Sequence, residues 1–154
     1  MDQFMPPDPV RLALSGKVFA VCGLWLVALG VYFLFLRPAL LPEDPRFMDS
    51  SIETLRAAAP GLERWLGHVF NVMGGFMIAT GSMTIFVACR YLASRTRGTL
   101  PAMVVTGAAS VTLMSATNFM LHSDFRWLLL VPALLWLAGL ICYVREGVSM
   151  TGMN

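Results

Sequence analysis

Four long apolar stretches constrain this chain more than any other feature of its sequence. They cover residues 18–36, 63–89, 100–121 and 127–144, and no acidic residue lies in the interior of any of them. As an α-helix, each is long enough to cross a hydrocarbon core of about 30 Å, which needs about 20 residues. A helix also pairs its own backbone N–H and C=O groups, which lipid cannot do. The pattern predicts an all-α integral membrane four-helix bundle, with residues 1–154 forming a single transmembrane domain.

The composition agrees with this interpretation. Of the 154 residues, 57% are hydrophobic and 13% are charged, whereas a soluble domain carries about 25% charged residues. The surplus apolar surface therefore needs membrane lipid as its solvent. The net charge is only +2 and the basic residues are scattered, so the chain lacks the basic patch of a nucleic-acid-binding protein.

The distribution of Lys and Arg predicts how the helices are oriented. One side of the membrane carries six of these residues and the other carries five. The short connector 90–97 holds three arginines and no acid, so the positive-inside rule places both termini in the cytoplasm. We therefore expect a multi-pass protein of the cytoplasmic (inner) membrane, with its cysteines toward the reducing side. The six charges of the cytoplasmic side are Arg11, Lys17, Arg90, Arg95, Arg97 and Arg145, and the three cysteines are Cys22, Cys89 and Cys142.

The outer loop, residues 37–62, has structural signals of its own. Pro38, Pro42 and Pro45 lie within eight residues and predict extended backbone with no helix there. Ser50 and Glu53 have the spacing of a capping box, which predicts a short amphipathic helix over 51–59. That helix would lie on the outer leaflet or cap the bundle. Its apolar face consists of Ile52, Leu55 and Ala59.

Glycines repeat every seven residues in the first two stretches. Glycine lets two helix backbones approach closely in lipid, and a seven-residue period keeps such notches on one seam of a left-handed crossing. We therefore expect the first two helices to pack as a close pair. The predicted packing positions are Gly16, Gly23, Gly30, Gly67, Gly74 and Gly81.

Two polar stripes point to a candidate site at the outer mouth of the bundle. Each stripe has the spacing of three and four residues that places side chains on one helix face, and both lie at the same end of the bundle. Polar groups near membrane depth are costly and are often functional. The competing interpretation is structural, with the arginines reaching to the headgroups and the amides bonding between helices. The candidate ligand-binding residues are Arg64, His68, Asn71, Asn118, His122, Asp124, Arg126, Glu43 and Asp44.

Specific chemistries have little support in the sequence. His68 and His122 are the only histidines, and with Asp124 and Glu43 they could hold a metal ion or, by themselves, one haem. Nothing in their spacing is diagnostic, and His-Glu-x-x-His, Cys-x-x-Cys and phosphate-loop motifs are absent from the sequence. No catalytic residue and no cofactor is therefore predicted.

Three runs carry a family resemblance: Arg37-Pro38-x-Leu40-Leu41-Pro42-Glu43-Asp44, Met73-Gly74-Gly75-Phe76, and Asn118-x5-Asp124-Phe125-Arg126-Trp127. They are similar to runs in a group of small uncharacterised bacterial membrane proteins with four transmembrane helices. The resemblance covers most of the chain after the N-terminal arm. It implies the four-helix plan and no particular activity.

Three function classes follow from these observations. The first is a non-enzymatic accessory subunit or homo-oligomer, which acts through its helix faces in a larger membrane complex. The second is a small binding or transport protein for a lipid, an ion or a hydrophobic molecule, using the outer polar cluster. The third is an intramembrane enzyme using His68, His122 and Asp124.

Overall fold

A computed structural model describes residues 12–151 of the chain. Arg11, which entered the charge count above, lies outside this part. The described residues form seven α-helices and one π-helical segment, Ala108–Thr112, with no strand among them. The helices are α1 (Leu14–Phe35), α2 (Glu43–Phe47), α3 (Ile52–Ala58), α4 (Leu62–Arg90), α5 (Thr99–Gly107), α6 (Leu113–Met120) and α7 (Arg126–Thr151).

The four predicted membrane helices are confirmed. They are Leu14–Phe35, Leu62–Arg90, Thr99–Met120 and Arg126–Ser149, all long and apolar enough to cross a membrane. The third runs through α5, the π segment and α6, and we call it the third span. We call the end of the bundle with residues 36–61 and 121–125 the loop end. The opposite end, with residues 91–98, the start of α1 and the end of α7, is the tail end.

The four spans pack in the order α4, α1, α7 and third span. Helix α1 makes extensive contacts with α4 and with α7, and the third span packs against α7. Neither α4 and α7 nor α4 and the third span make contacts of comparable extent. Helix α1 therefore occupies a central position, and α4 lies at an edge.

Glycines form the interface between α1 and α4. Ideal Cβ atoms added to Gly23 and Gly30 would lie 2.7 Å from the carbonyl oxygen of Gly81 and 2.6 Å from that of Gly74. Gly16 faces the carbonyl oxygen of Ala88. On α4, Ala88 occupies the next position of the seven-residue series after Gly74 and Gly81. Backbone meets backbone along the whole seam, as expected where van der Waals packing holds helices together in lipid.

Gly67 does not take part in this close approach, because no atom lies within 4 Å of the Cβ it would carry. The register of the seam would pair residue 67 with residue 37. Helix α1 has already ended at Phe35, so no helix backbone stands opposite Gly67. The seven-residue period continues in the sequence of α4 after its partner helix has stopped.

Aromatic and backbone contacts join α7 to its two neighbours. Phe19 of α1 is fully buried, with its ring centroid 5.2 Å from that of Trp136 in an edge-to-face arrangement. The Nε1–H group of Trp136 donates to the carbonyl oxygen of Met103 at 2.9 Å. The indole also lies against Gly107, where a Cβ would collide with it. The π segment begins one residue after this glycine, at a point where the sequence carries no signal for it.

The prediction of extended backbone after Pro42 was wrong, since α2 runs from Glu43 to Phe47 and includes Pro45. The first four N–H groups of a helix have no partner within the helix. Pro45 stands among those positions, so its missing N–H group costs no helical hydrogen bond. Prolines exclude a helix interior, and they do not exclude a first turn.

Helix α3 is confirmed, and its cap lies one residue later than predicted. The Oγ atom of Ser51 accepts a hydrogen bond from the backbone N–H of Thr54 at 3.1 Å. The backbone of Ser50 instead belongs to the turn after α2, because its N–H donates to the carbonyl oxygen of Pro45 at 3.0 Å. Of the two adjacent serines, the cap is therefore Ser51, which directly precedes the first helical residue, Ile52.

Candidate functional site

At the loop end, a buried carboxylate joins α2 to the connector between the third span and α7. Glu43 is only 5% exposed, and its Oε1 atom accepts a hydrogen bond from the Oγ–H of Ser123 at 3.1 Å. That Oγ atom also accepts from the backbone N–H of Phe125 at 3.2 Å. The bond between Glu43 and Ser123 spans 80 residues of sequence and fastens the loop across the end of the bundle.

Arg37 closes the loop end of the α1–α4 pair. Its guanidinium carbon lies 3.6 Å from the ring centroid of Phe70 on α4 and 5.3 Å from that of Phe33. Asp44 lies 3.9 Å away and also accepts from the backbone N–H of Leu41 at 2.8 Å. Burial lowers the pKa of the Arg37 guanidinium, and Asp44 acts in the opposite direction. The cation–π contact and the carboxylate together hold a largely desolvated charge in place.

The remaining charged candidates of the loop end form surface contacts. Asp124 pairs with Arg46 at 3.0 Å, with both side chains more than half exposed, and such pairs contribute about 0–1 kcal/mol. The guanidinium of Arg126 reaches the carbonyl oxygen of Ser123 at 3.5 Å. His122 is exposed and has a φ of 51°, where it ends the third span. These residues shape the connector.

The two predicted polar stripes lie on helices that do not pack extensively on each other. Arg64, His68 and Asn71 are exposed on α4, which packs on α1. Asn118 lies on α6, which packs on α7, and its Nδ2 atom donates to the carbonyl oxygen of Met114 in the same helix at 2.9 Å. The structure therefore divides the nine candidates into an α4 group, a group at and next to the loop end, and Asn118 on α6.

The exposed side of α4 has a second seven-residue pattern. His68, Gly75, Ser82 and Cys89 recur every seven residues, each one position after a member of the series 67, 74, 81 and 88. One residue corresponds to about 100° around an α-helix, so this line lies on the flank of α4, about 100° to the side of its seam with α1. Asn71 and Ala79 flank it and are exposed. We call these six residues the open face of α4.

Within residues 12–151, no three His, Cys, Asp or Glu side chains gather as a metal-binding group would require. The two histidines lie on different elements, His68 on the open face of α4 and His122 after α6. The structure thus does not assemble the predicted set of His68, His122, Asp124 and Glu43 at one point.

A shallow cavity of about 270 Å³ lies at the loop end beside α3. The Arg56–Glu63 pair, 2.9 Å apart, borders it. Apolar side chains form the rest of its wall, so the cavity combines one charged pair with a mostly apolar lining. The lining residues are Leu40, Leu55, Arg56, Ala59, Pro60, Leu62 and Glu63.

A polar cluster at the tail end was not foreseen from the sequence. Glu146 on α7 accepts hydrogen bonds from the backbone N–H of Ser15 at 3.0 Å and from its Oγ–H at 2.6 Å. Arg95 lies 3.6 Å from the same carboxylate, donates to the carbonyl oxygen of Tyr143 at 2.7 Å, and stacks 4.4 Å from the Tyr143 ring. A carboxylate at the start of a helix also matches the positive end of the helix dipole. The cluster ties α1, α7 and the 91–98 connector together.

The tail-end residues could have been suspected from one signal. Glu146 is the single acid among the described residues of that end, against five basic ones. An isolated acid of this kind at a helix end attracts a cation, although its bond to Ser15 spans 131 residues and has no local signature.

Comparisons with protein-family models, with curated proteins and with solved structures gave no match to this chain.

Proposed function

We propose that this protein is a non-enzymatic, multi-pass component of the cytoplasmic membrane that works by assembling with other membrane-embedded chains, as an accessory subunit or as a homo-oligomer. One observation carries the proposal. Among the described helices, α4 packs extensively on α1 alone and exposes a line of small and polar side chains beside that contact. Lipid tails do not favour such a surface, whereas another helix does.

The contacts of the polar side chains at the two ends of the bundle support this proposal. At the loop end, Glu43 and Arg37 hold the loop against the helices. At the tail end, Glu146 and Arg95 hold α1 against α7. These groups stabilise the fold, whereas the polar residues of the open face are exposed and available for an external contact.

The charges at the two ends support the expected orientation, with both termini in the cytoplasm. Among the described residues, the tail end together with the last residue of α4 carries five basic residues and one acid, and the loop end together with the first turns of α4 and α7 carries five basic and six acidic residues. The positive-inside rule favours the cytoplasm for the more basic end. The five basic residues of the tail end are Lys17, Arg90, Arg95, Arg97 and Arg145.

Native mass spectrometry of the protein in lipid nanodiscs tests the proposal. A single chain has a mass of 16.9 kDa. Assembly predicts a multiple of that mass, or a second polypeptide at fixed stoichiometry. A monomer with no bound polypeptide at every ratio of protein to lipid would contradict it.

The cavity beside α3 favours a second candidate function, the binding of a lipid or another hydrophobic molecule. Its apolar wall and the Arg56–Glu63 pair suit a molecule with one polar end. Leu55→Trp would fill the cavity, and Leu128→Trp on the exposed side of α7 is the matched control. Loss of a co-purifying small molecule in the first variant alone supports this function, and its retention in both contradicts it.

A further inference from the structure

Asn71 lies at hydrocarbon depth on the open face. The register of the α1–α4 seam sets the middle of α1 opposite residues 79 and 80 of α4. With a rise of 1.5 Å per residue, Asn71 is about 13 Å from that middle, inside the half-thickness of about 15 Å. Ser82 lies within about 5 Å of the middle by the same measure.

Several polar side chains elsewhere in the spans have partners. The Oγ1–H of Thr84 donates to the carbonyl oxygen of Thr80 at 2.8 Å, and the Oγ–H of Ser115 donates to that of Leu129 at 2.7 Å. Asn118 donates within its own helix. Within the described part of the chain, the Asn71 amide has no partner, and a primary amide in hydrocarbon without one is strongly disfavoured.

The backbone next to Asn71 is open to close approach. Gly75 has no atom within 4 Å of the Cβ it would carry, and Ala79 and Ser82 continue the line with small side chains. Small residues at such spacing allow a second helix to reach contact distance, where interhelical hydrogen bonds form.

From these observations, and resting on the assembly function proposed above, we propose that the occupant of the open face is a second copy of this chain, with the two α4 helices packed side by side about a two-fold axis along the membrane normal. An amide both donates and accepts, so Asn71 and the partner's Asn71 satisfy each other. A two-fold interface brings each surface against itself, and an axis along the normal keeps identical residues at the same depth. The seven-residue spacing suits a left-handed crossing.

The native cysteines provide the test. Cys89 lies on the open face, Cys142 lies on α7 with similar partial exposure near the same end, and Cys22 is fully buried. A disulfide needs Cα atoms within about 7 Å. Membranes containing the full chain are treated with copper phenanthroline, and the products are separated by mass without reductant.

The proposal expects a covalent homodimer that forms in the wild type and in Cys142→Ser and is lost in Cys89→Ser. Asn71→Leu should lower the yield about three- to twentyfold, since an interhelical hydrogen bond in a membrane is worth about 0.6–1.7 kcal/mol. Asn118→Leu, the control on a helix away from the interface, should leave the yield unchanged. As a second probe, Ser82→Cys in the Cys89→Ser background should restore the dimer, and Met83→Cys should not.

Three results would overturn the proposal. A homodimer joined through Cys142, or one insensitive to Asn71→Leu, places the contact on another face. Cross-links from Cys89 only to a different polypeptide exclude a second copy while leaving the assembly function in place. Absence of any cross-link, together with a monomer in nanodiscs, removes both.

Discussion

Replacing Gly81 by alanine should separate α1 from α4. The added Cβ would lie 2.5 Å from the carbonyl oxygen of Gly23 and 2.9 Å from the backbone nitrogen of Val27, where ordinary contact begins at 3.4 Å. The new Cβ would therefore be about 0.9 Å closer to this carbonyl oxygen than an ordinary contact allows. Both atoms belong to the backbone of α1 and cannot rotate away, so the helices must move apart. Overpacking of this kind costs about 1–3 kcal/mol.

Gly67→Ala is the matched control for this prediction. It lies in the same helix and in the same seven-residue series, but its new Cβ meets no atom within 4 Å. Alanine favours a helix over glycine by up to about 1 kcal/mol, and both variants share that gain. The difference between them therefore isolates the clash.

Reversible unfolding in mixed micelles, followed by circular dichroism as the fraction of denaturing detergent rises, measures both variants. We expect Gly81→Ala to have a free energy of unfolding lower than that of Gly67→Ala by about 1–3 kcal/mol. Gly67→Ala should equal or slightly exceed the wild type. Equal losses in the two variants, or a larger loss in Gly67→Ala, would refute the α1–α4 contact.

Three further predictions concern polar groups. Glu146→Ala should lower the free energy of unfolding by about 1.5–3 kcal/mol, because it removes a charged acceptor from both donors of Ser15; an unchanged unfolding curve would argue against the tail-end cluster. Trp136→Phe removes the donor to the carbonyl oxygen of Met103 together with part of a buried indole, so it should cost about 2–4 kcal/mol in the same assay, and an unchanged unfolding curve would argue against this contact. Hydrogen bonds from its own backbone N–H and then from Ser51 lower the pKa of Glu53 below 4.5. A lowered folded-state pKa adds stability above the unfolded-state value, and that stability is lost as pH falls through the folded-state pKa. A carboxyl NMR titration should therefore place the pKa of Glu53 below the ordinary value of a glutamate side chain, and Ser51→Ala should raise it; a pKa unmoved by that substitution would contradict the cap.

The spans could be predicted because lipid imposes a simple rule on the backbone. Any segment that crosses hydrocarbon must satisfy its own hydrogen bonds, so length and hydropathy were sufficient to find all four. The glycine period also pointed to the α1–α4 contact, since close approach leaves no room for side chains. The glycine period of α4 continues to Gly67, although α1 has ended before that point. The sequence of α4 alone could not show that Gly67 has no helix opposite it.

The arrangement of the candidate site was harder to predict for a physical reason. Helical spacing shows which residues share a face, but it does not show which neighbour that face meets. Asn71 and Asn118 lie at the same end of the bundle on helices whose extensive contacts are with α1 and α7. The bond from Glu43 to Ser123 and the cluster around Glu146 join residues far apart in sequence, and they depend on the order in which the helices pack.

The central claim is that α1 stands between α4 and α7, which leaves one side of α4 open. Intramolecular disulfide formation tests it most directly, in a background with Cys89 and Cys142 replaced by serine. Phe33→Cys with Phe70→Cys should close within one chain, since these residues lie one helical turn beyond the backbone contact of Gly30 with Gly74 and their rings touch across the α1–α4 interface. Asn71→Cys with Asn118→Cys should not close within one chain. Closure of the second pair as efficiently as the first would contradict the packing order.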